Sequence, residues 1–137
     1  MAHKSEHVDK VHWVNQVEDA LVLSKKNGKA VLIDFWADWC GPCHEMDRLV
    51  YGDEAIAKRL SKSFILVKMD TSSPTDYNIK WQTKFRISAL PSAVFLDSNG
   101  KSLPKGSFTG FVDAQEMAKI LDDVEAQLNE NGQCVSC

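Results

Sequence analysis

Short apolar runs alternate with amphipathic stretches along the chain, a pattern typical of a domain that packs helices against a β-sheet. The run 30–36 is rich in β-branched and aromatic residues without polar alternation, so we expect it to be a buried central strand. Asp97 to Gly100 reads as a hairpin turn. The predicted strands, in chain order, are 11–14, 30–36, 64–69, 92–96 and 107–109.

Between these strands, apolar residues recur at helical spacing. We expect a first helix over 16–26 and a short helix that starts at Asp76. A helix that follows Cys43 is interrupted at Tyr51-Gly52 and then continues. The apolar residues expected on buried helix faces are Met46, Leu49 and Val50 in the helix after Cys43, and Met117, Ile120, Leu121, Val124 and Leu128 in the last helix.

The resulting order, β-α-β-α-β-α-β-β-α, predicts a single α/β domain. A chain of 137 residues is long enough for one buried core, and its 44% hydrophobic and 26% charged residues are typical of a globular protein. No linker, repeat or low-complexity block divides it. We expect a flexible N-terminal segment at 1–11, the domain at 12–129 and a flexible tail at 130–137.

Charge and hydropathy exclude several classes of partner. The net charge of −3 provides no basic field for a phosphate backbone, so we expect no nucleic acid and no anionic membrane surface. No stretch approaches the ~20 apolar residues of a transmembrane helix, so membrane insertion is not expected. The polar start, MAHKSEH, carries no signal peptide, which leaves a cytoplasmic protein or an exported one whose leader has been removed.

The four cysteines form two C-x-x-C pairs, Cys40/Cys43 and Cys134/Cys137. The first pair lies between a predicted buried strand and a predicted helix. A thiol at a helix N-terminus faces unpaired N–H groups and the positive end of the helix dipole, and both favour the reactive thiolate. We therefore predict that Cys40 is the exposed nucleophile and Cys43 the more buried resolving thiol. Pro42 suits the first turn of such a helix.

Other interpretations of the cysteines remain open. A lone C-x-x-C can be half of a zinc site, but such sites usually bring their second pair within about 20 residues, and here it lies about 90 residues away. A module that holds zinc or copper(I) with all four thiols is the alternative. The second pair, Cys134/Cys137, could relay electrons to the first or cap it within the same molecule, or could have no role.

The segment 35–43, FWADWCGPC, resembles the active-site segment of thioredoxins, and the similarity extends from about residue 31 to residue 121. The resemblance implies a thioredoxin fold, with a central mixed sheet of four to five strands flanked by helices. It also implies site residues: Asp34 as a buried carboxylate that exchanges a proton with Cys43, Lys68 as its companion, Leu90-Pro91 as a cis-proline loop, Gly110 beside the substrate groove, and Trp39, Gly41 and Pro42 as residues that shape the site.

From the residues alone, Lys68 reads differently, as a surface lysine at a strand end. Within the superfamily, three features are similar to the C-terminal domain of the transmembrane thiol–disulfide interchange reductase of bacterial envelopes: the segment ADWC at 37–40, the broken helix at 51–53 and the hairpin 95–100. Two departures from thioredoxins are His44, where lysine is common, and Ser88-Ala89, where Arg-Gly is common.

The resemblance implies a thiol–disulfide oxidoreductase, and Gly41-Pro42 between the cysteines is similar to the reducing members. A disulfide isomerase or oxidase of the same fold is the alternative. The implied partners are a disulfide-containing protein substrate and an electron-donor protein. No organic cofactor is implied, since the redox group is the Cys40–Cys43 disulfide itself. We expect a bacterial monomer in the periplasm with its leader removed, the alternative being the cytoplasm.

Overall fold

A five-stranded mixed sheet forms the centre of the protein in the computed structural model, which describes residues 11–133. The strand order is β1-β3-β2-β4-β5, in which β2 is parallel to β3 and antiparallel to β4. The strands are β1 (Trp13–Val14), β2 (Ala30–Trp36), β3 (Phe64–Asp70), β4 (Ser92–Leu96) and β5 (Phe108–Thr109). The mixed sheet of four to five strands predicted from the sequence is therefore confirmed.

Five α-helices of the described residues flank the sheet, and several of their ends are capped. They are α1 (Val17–Asn27), α2 (Gly41–Met46), α3 (Glu54–Ser63), α4 (Asp76–Lys84) and α5 (Ala114–Glu130). Gly28 ends α1 in the left-handed region, with φ of 74°. The Asp53 carboxylate starts α3 by accepting a hydrogen bond from the Ile56 N–H. Within residues 11–133, no helix is long and apolar enough to cross a bilayer.

Alternating residues of β2 build a core on each face of the sheet. Val31, Ile33 and Phe35 pack toward α1 and α4. Ala30 and Leu32 belong to the other core, which α2, α3 and α5 cover. Asp34 has the same parity as Ala30 and Leu32, so this carboxylate points to the face that α2 covers. Apart from Asp34, every residue of β2 is apolar, and residues 30–33 and 35 pack into these two cores, which explains why the sequence predicts a central strand here.

The sequence predicted the break after α2, but it placed one side chain wrongly. Between α2 and α3 the chain forms a π turn, Asp47–Tyr51. Met46 and Val50 are buried as expected, whereas Leu49 is 44% exposed. A π turn joins residues five apart instead of four, so the side chains that follow it are rotated relative to a regular helix. Leu49 therefore faces outward.

The ordered part of the chain runs beyond residue 129. Helix α5 continues to Glu130, and the N–H of Gln133 donates to the Leu128 carbonyl at 2.8 Å. The predicted N-terminal segment, apart from Val11, lies outside the described residues. Cys134 and Cys137 of the predicted tail lie outside them as well.

Candidate active site

The first cysteine pair lies where β2 turns into α2. Cys40 is the N-cap of α2 and is joined to Cys43 by a disulfide. The Cys40 sulfur also accepts a hydrogen bond from the Cys43 N–H at 3.2 Å. This places the Cys40 sulfur at the positive end of the helix, where an anionic sulfur is stabilised. Pro42 lies in the first turn, where its missing N–H leaves no hydrogen bond unmade.

The predicted contrast in exposure between the two cysteines is small. Cys40 is 5% exposed and Cys43 is 2% exposed, so the expectation of an exposed Cys40 is wrong for this disulfide form. The two sulfurs cover each other, and Ala37, Trp36 and Leu90 pack around them. The order of the pair still holds, because Cys40 lines the open groove and Cys43 does not.

A groove with a volume of about 540 Å³ opens onto Cys40. Trp39 forms one wall of the groove and is 69% exposed, although tryptophan side chains are on average largely buried. None of the lining side chains carries a charge; they are Trp39, Cys40, Gly41, Pro42, Thr71, Gln82, Ile87, Ser88, Ala89 and Leu90. A neutral groove beside a disulfide can receive a polypeptide segment without burying an unpaired charge.

The loop opposite the cysteines has the geometry that the resemblance implied. The Leu90–Pro91 peptide bond is cis, as predicted. Gly110 donates its N–H to the Pro91 carbonyl at 2.7 Å and has a φ of 93°, which favours glycine. Pro91 and Gly110 do not line the groove themselves. They hold Leu90, which does.

Beneath α2, one lysine bridges two carboxylates. Lys68 Nζ donates to Asp34 Oδ2 at 2.8 Å and also bonds Asp47 Oδ1. The reading of Lys68 as a surface residue at a strand end is therefore wrong, and the companion of Asp34 implied by the resemblance is confirmed. Lys68 is an interior residue of β3, where its long side chain passes under α2.

Burial and the lysine act in opposite directions on Asp34. Desolvation raises the pKa of the Asp34 carboxyl, and Lys68 offsets only part of that rise. Burial acts against the Lys68 ammonium, but the two carboxylates outweigh it and raise the pKa of Lys68. Lys68 is thus charged at neutral pH, while Asp34 can hold and release a proton closer to neutrality than a free carboxyl does.

Sequence reasoning missed Asp47 and Tyr51. Asp47 lies four residues after Cys43, so the two share one face of a helix, and this spacing was a readable signal. Among residues 11–133 the buried Tyr51 hydroxyl has no hydrogen-bond partner, and burial raises its pKa well above the usual value. Nothing in the spacing of Tyr51 distinguished it from an ordinary core aromatic residue.

Aromatic rings surround the bridging ammonium. The Lys68 Nζ lies 4.5 Å from the ring centre of Trp13, 5.5 Å from that of Tyr51 and 5.6 Å from that of Trp36. A second cavity, about 640 Å³ in volume, reaches Lys68 and Asp47 from the side of β1. Asp34 does not line this cavity. Lys68 and Asp47 therefore lie between the Asp34 carboxylate and the solvent in the cavity.

His44 fastens the loop that carries the cysteines. Its Nε2 donates to the Asp38 carbonyl at 2.7 Å, and its ring meets that of Trp36 edge-on. The Asp38 N–H in turn donates to the Ser72 hydroxyl at 2.8 Å. His44 therefore makes a ring contact with Trp36 that a lysine, which has no ring, would not reproduce. Among residues 11–133 there is no group of three or more histidine, cysteine, aspartate or glutamate side chains placed to hold a metal ion.

The mixed sheet and the Cys40–Cys43 disulfide at the start of α2 are features expected of a thioredoxin-like domain. The chain belongs to the thioredoxin-like domain family, whose sequence model matches residues 17–125. Among curated proteins it is similar to the thiol:disulfide interchange protein DsbD of Actinobacillus pleuropneumoniae, with 28% identity over 116 residues. It is 30% identical over 105 residues to the DsbD of Yersinia pestis.

Those matches cover most of this chain but little of the relatives. They include 85% and 77% of the chain, against 19% and 18% of the two DsbD proteins. The chain thus spans about a fifth of the length of the curated relatives it matches.

Solved structures agree with the fold. A thioredoxin from Thermus thermophilus superposes with a TM-score of 0.72 at 22% identity, over 84% of this chain and 87% of that one. The oxidised C-terminal domain of DsbD from Neisseria meningitidis superposes with a TM-score of 0.69 at 18% identity, over 82% of this chain and 98% of that one.

Proposed function

We propose that the protein is a protein-disulfide reductase that works by dithiol–disulfide exchange through Cys40 and Cys43. The observation that carries this proposal is the position of the pair at the start of α2, with Cys40 on an uncharged groove and Cys43 behind it. The helix N-terminus lowers the cost of a thiolate on Cys40, and the thiolate is the species that attacks a disulfide.

The reaction proceeds in two exchanges. The Cys40 thiolate attacks one sulfur of the substrate disulfide, a mixed disulfide forms, and the other substrate sulfur leaves as a thiolate that takes a proton from solvent. The Cys43 thiolate then attacks the Cys40 sulfur. The substrate leaves as a dithiol, Cys40–Cys43 becomes the disulfide, and two electrons have passed to the substrate.

Cys43 needs a proton acceptor, because it is buried and must lose its proton before it attacks. Asp34 suits this role, since burial raises its pKa toward neutrality and it lies on the face of the sheet that α2 covers. Lys68 positions the Asp34 carboxylate through their hydrogen bond. Lys68 lowers the pKa of Asp34, whereas the charge of Asp47 raises it. The second cavity brings solvent to Lys68 and Asp47, so protons can reach the cluster without crossing the substrate groove.

The groove seats the substrate as an extended segment against Trp39, the Gly41-Pro42 turn and Leu90. The 2.7 Å hydrogen bond from the Gly110 N–H to the Pro91 carbonyl holds the loop that positions Leu90 in the groove wall. The exposed Trp39 ring supplies an apolar face that a flexible substrate can cover. These residues therefore determine affinity, whereas Cys40, Cys43 and Asp34 carry out the chemistry.

Reduction of insulin disulfides by dithiothreitol tests the proposal. The wild type should accelerate it, and Cys40→Ser should abolish the acceleration. Cys43→Ser should accumulate a mixed disulfide with the substrate. Cys134→Ser/Cys137→Ser is the matched control, because it removes the other two thiols of the chain while leaving Cys40 and Cys43 in place, and it should keep full activity. A Cys40→Ser variant as active as the wild type would overturn the mechanism.

The direction of electron flow follows from the reduction potential. A reductase should have a potential near the thioredoxin value of about −270 mV, whereas an oxidase of this fold lies near about −120 mV. The Gly41-Pro42 sequence and the similarity to thioredoxins support the reducing assignment. A potential near the upper value would select the oxidase or isomerase instead.

The partners and location belong to the same proposal. The enzyme receives electrons from a donor protein and passes them to disulfide-containing proteins, as a monomer in the bacterial periplasm. The similarity to the thiol:disulfide interchange protein DsbD supports the partners and the location. Fusion of alkaline phosphatase, which is active only after export, to the chain expressed with its native upstream codons tests the location. An inactive fusion would place the protein in the cytoplasm.

A further inference from the structure

Arg86 has a backbone conformation that arginine rarely adopts. Its φ is 57°, in the left-handed region, and within residues 11–133 no other residue except glycine has a positive φ. Glycine enters this region freely, whereas the β-carbon of any other L-residue lies too close to the following carbonyl oxygen. An arginine at this position therefore lowers the stability of the fold, and a glycine would remove that cost.

The end of α4 requires the left-handed conformation at position 86. The Arg86 N–H donates to the Thr83 carbonyl at 3.2 Å. The Ile87 N–H donates to the Gln82 carbonyl at 2.8 Å. These two bonds form a Schellman motif, in which the residue at the position of Arg86 is usually glycine. Gln82 and Ile87 both line the groove that opens onto Cys40, so Arg86 lies at the rim of that groove.

The Arg86 guanidinium has no carboxylate partner among residues 11–133. The chain has three arginines, and the other two form ion pairs: Arg48 with Glu45, and Arg59 with Asp122 and Glu125. Arg86 is exposed and takes part in none of the ion pairs of the described residues. Its positive charge is therefore available to a molecule that binds in the groove.

The dipole of α4 does not account for an arginine at position 86. Lys84 already places a positive charge in the last turn of this helix. A lysine there needs no left-handed backbone, and the dipole effect falls off within the last turn. Arg86 lies two residues beyond the end of α4, so it adds little to the stability of the helix.

We propose that Arg86 is a specificity-determining residue that binds a carboxylate of the substrate, so that the protein favours disulfides flanked by aspartate or glutamate. This role rests on the proposed function and names its class of protein substrate. The uncharged lining of the groove does not itself distinguish an acidic segment from a neutral one. A guanidinium at the rim does, because its paired N–H donors match the two oxygens of a carboxylate.

The charges beside the groove also place the acidic residue of the substrate. Asp38 lies next to Trp39 in the loop after β2, whereas Arg86 lies with the lining residues that follow α4. An acidic side chain is repelled near Asp38 and attracted near Arg86. The substrate carboxylate therefore lies on the part of the segment that contacts the residues after α4.

Two peptide substrates that differ only in charge test this role. Each is closed by one disulfide, and the residues that flank its cysteines are Glu in one peptide and Gln in the other. The measured quantity is the ratio of kcat/KM for the Glu peptide to kcat/KM for the Gln peptide. In Arg86→Gln this ratio should fall roughly twofold to fivefold through KM, the range of an exposed ion pair. The fall should shrink in about 1 M salt, which screens the pair.

Arg86→Gly separates the effect of the charge from that of the backbone. It removes both the guanidinium and the β-carbon. The peptide ratio should therefore fall as in Arg86→Gln, while Tm should rise by roughly 2–4 °C because the strained conformation is relieved. Arg86→Gln keeps the β-carbon and should leave Tm near the wild-type value.

Lys26→Gln is the matched control. It removes one positive charge from an exposed residue in the last turn of α1, which ends before β2 begins, whereas Cys40 follows β2. The peptide ratio should stay at the wild-type value. An unchanged ratio in either Arg86 variant, or an equal fall in Lys26→Gln, would overturn the role of Arg86.

The same assay separates this role from the proposed function. If the ratio does not depend on Arg86 while Cys40→Ser abolishes reduction of both peptides, only the role of Arg86 fails. If the wild type reduces neither peptide faster than dithiothreitol alone, the proposed function fails with it.

Discussion

Lys68 lies directly across from Asp34 in the parallel register of β2 and β3, and its ammonium donates to the Asp34 carboxylate at 2.8 Å. The same ammonium bonds Asp47, which lies in the π turn after α2. One cation therefore joins two strands to the helix that carries Cys43. Because two carboxylates share it, the cluster holds a surplus negative charge when Asp34 is ionised, and this charge opposes a thiolate on Cys43.

Removing the shared cation should destabilise the fold. In Lys68→Met, the methionine keeps much of the side-chain volume, but Asp34 and Asp47 lose their partner. Breaking a buried ion pair from one side costs about 3–5 kcal/mol. We expect roughly 3 kcal/mol at pH 7, near the lower end, because the Asp47 side chain is 32% exposed and can be hydrated. Urea unfolding at pH 7 measures it.

The control is an exposed lysine. Lys80 pairs with Glu18 at 3.5 Å, and both side chains are more than half exposed, so Lys80→Met should cost at most about 1 kcal/mol. The deficit of Lys68→Met should shrink at lower pH, where Asp34 is protonated. An equal loss of unfolding free energy in the two variants would show that the buried bridge stabilises the fold no more than an exposed ion pair does.

Asp47 should affect the pH profile of the reaction. Its charge contributes to the raised pKa of Asp34, so Asp47→Asn should lower that pKa. Asparagine can still accept a hydrogen bond from Lys68. The acid limb of the insulin-reduction rate should then move to lower pH.

Glu45→Gln is the matched comparison for Asp47→Asn. It removes the same charge two residues earlier in the chain, where Glu45 is exposed and pairs with Arg48. Its acid limb should stay at the wild-type pH. An identical shift in both variants would mean that the effect comes from the net charge of the helix and not from the cluster.

The exposed Trp39 ring should contribute binding and little stability. Trp39→Ala removes the wall of the groove, and an aromatic contact of about 0.5–1.5 kcal/mol corresponds to a kcat/KM roughly twofold to tenfold lower. The loss should appear in KM. Val22→Ala, at a site 67% exposed on α1, should leave both constants unchanged. A lower kcat for Trp39→Ala at unchanged KM would contradict a role in binding.

The strands and the cysteine geometry could be predicted from the sequence because their signals are local. Strand β2 is wholly apolar apart from Asp34, and this apolar run predicted the limits of the strand correctly. Pro42, two residues after Cys40, suits the first turn of a helix. The cis bond before Pro91 was predictable only through resemblance, since few X–Pro bonds are cis.

The bridge under α2 could not be predicted from local signals. Lys68 and Asp34 are 34 residues apart, and their contact depends on the register between two strands, which alternation alone does not fix. The exposure of Leu49 depends on a π turn, for which the sequence shows no marker. The anchoring of Gln133 depends on two turns from distant parts of the chain, Gly28 and Ser98.

Asp34→Asn should make the protein more stable and less active. A carboxyl whose pKa is higher in the folded protein binds more protons when folded. The free energy of unfolding therefore falls as pH rises from the unfolded pKa through the folded one. Asparagine removes this cost. We expect a gain in the free energy of unfolding at pH 7 that vanishes near pH 3, below both pKa values.

The activity of Asp34→Asn should change in the opposite direction. Without a proton acceptor for Cys43, release of the mixed disulfide should slow about a hundredfold at pH 7, within the range of general base catalysis, and recover as pH rises and Cys43 ionises unaided. Urea unfolding from pH 3 to 8 and single-turnover release kinetics measure the two effects. Because a purely structural Asp34 would lower stability and leave the pH dependence of release unchanged, either observation would refute its role as the base.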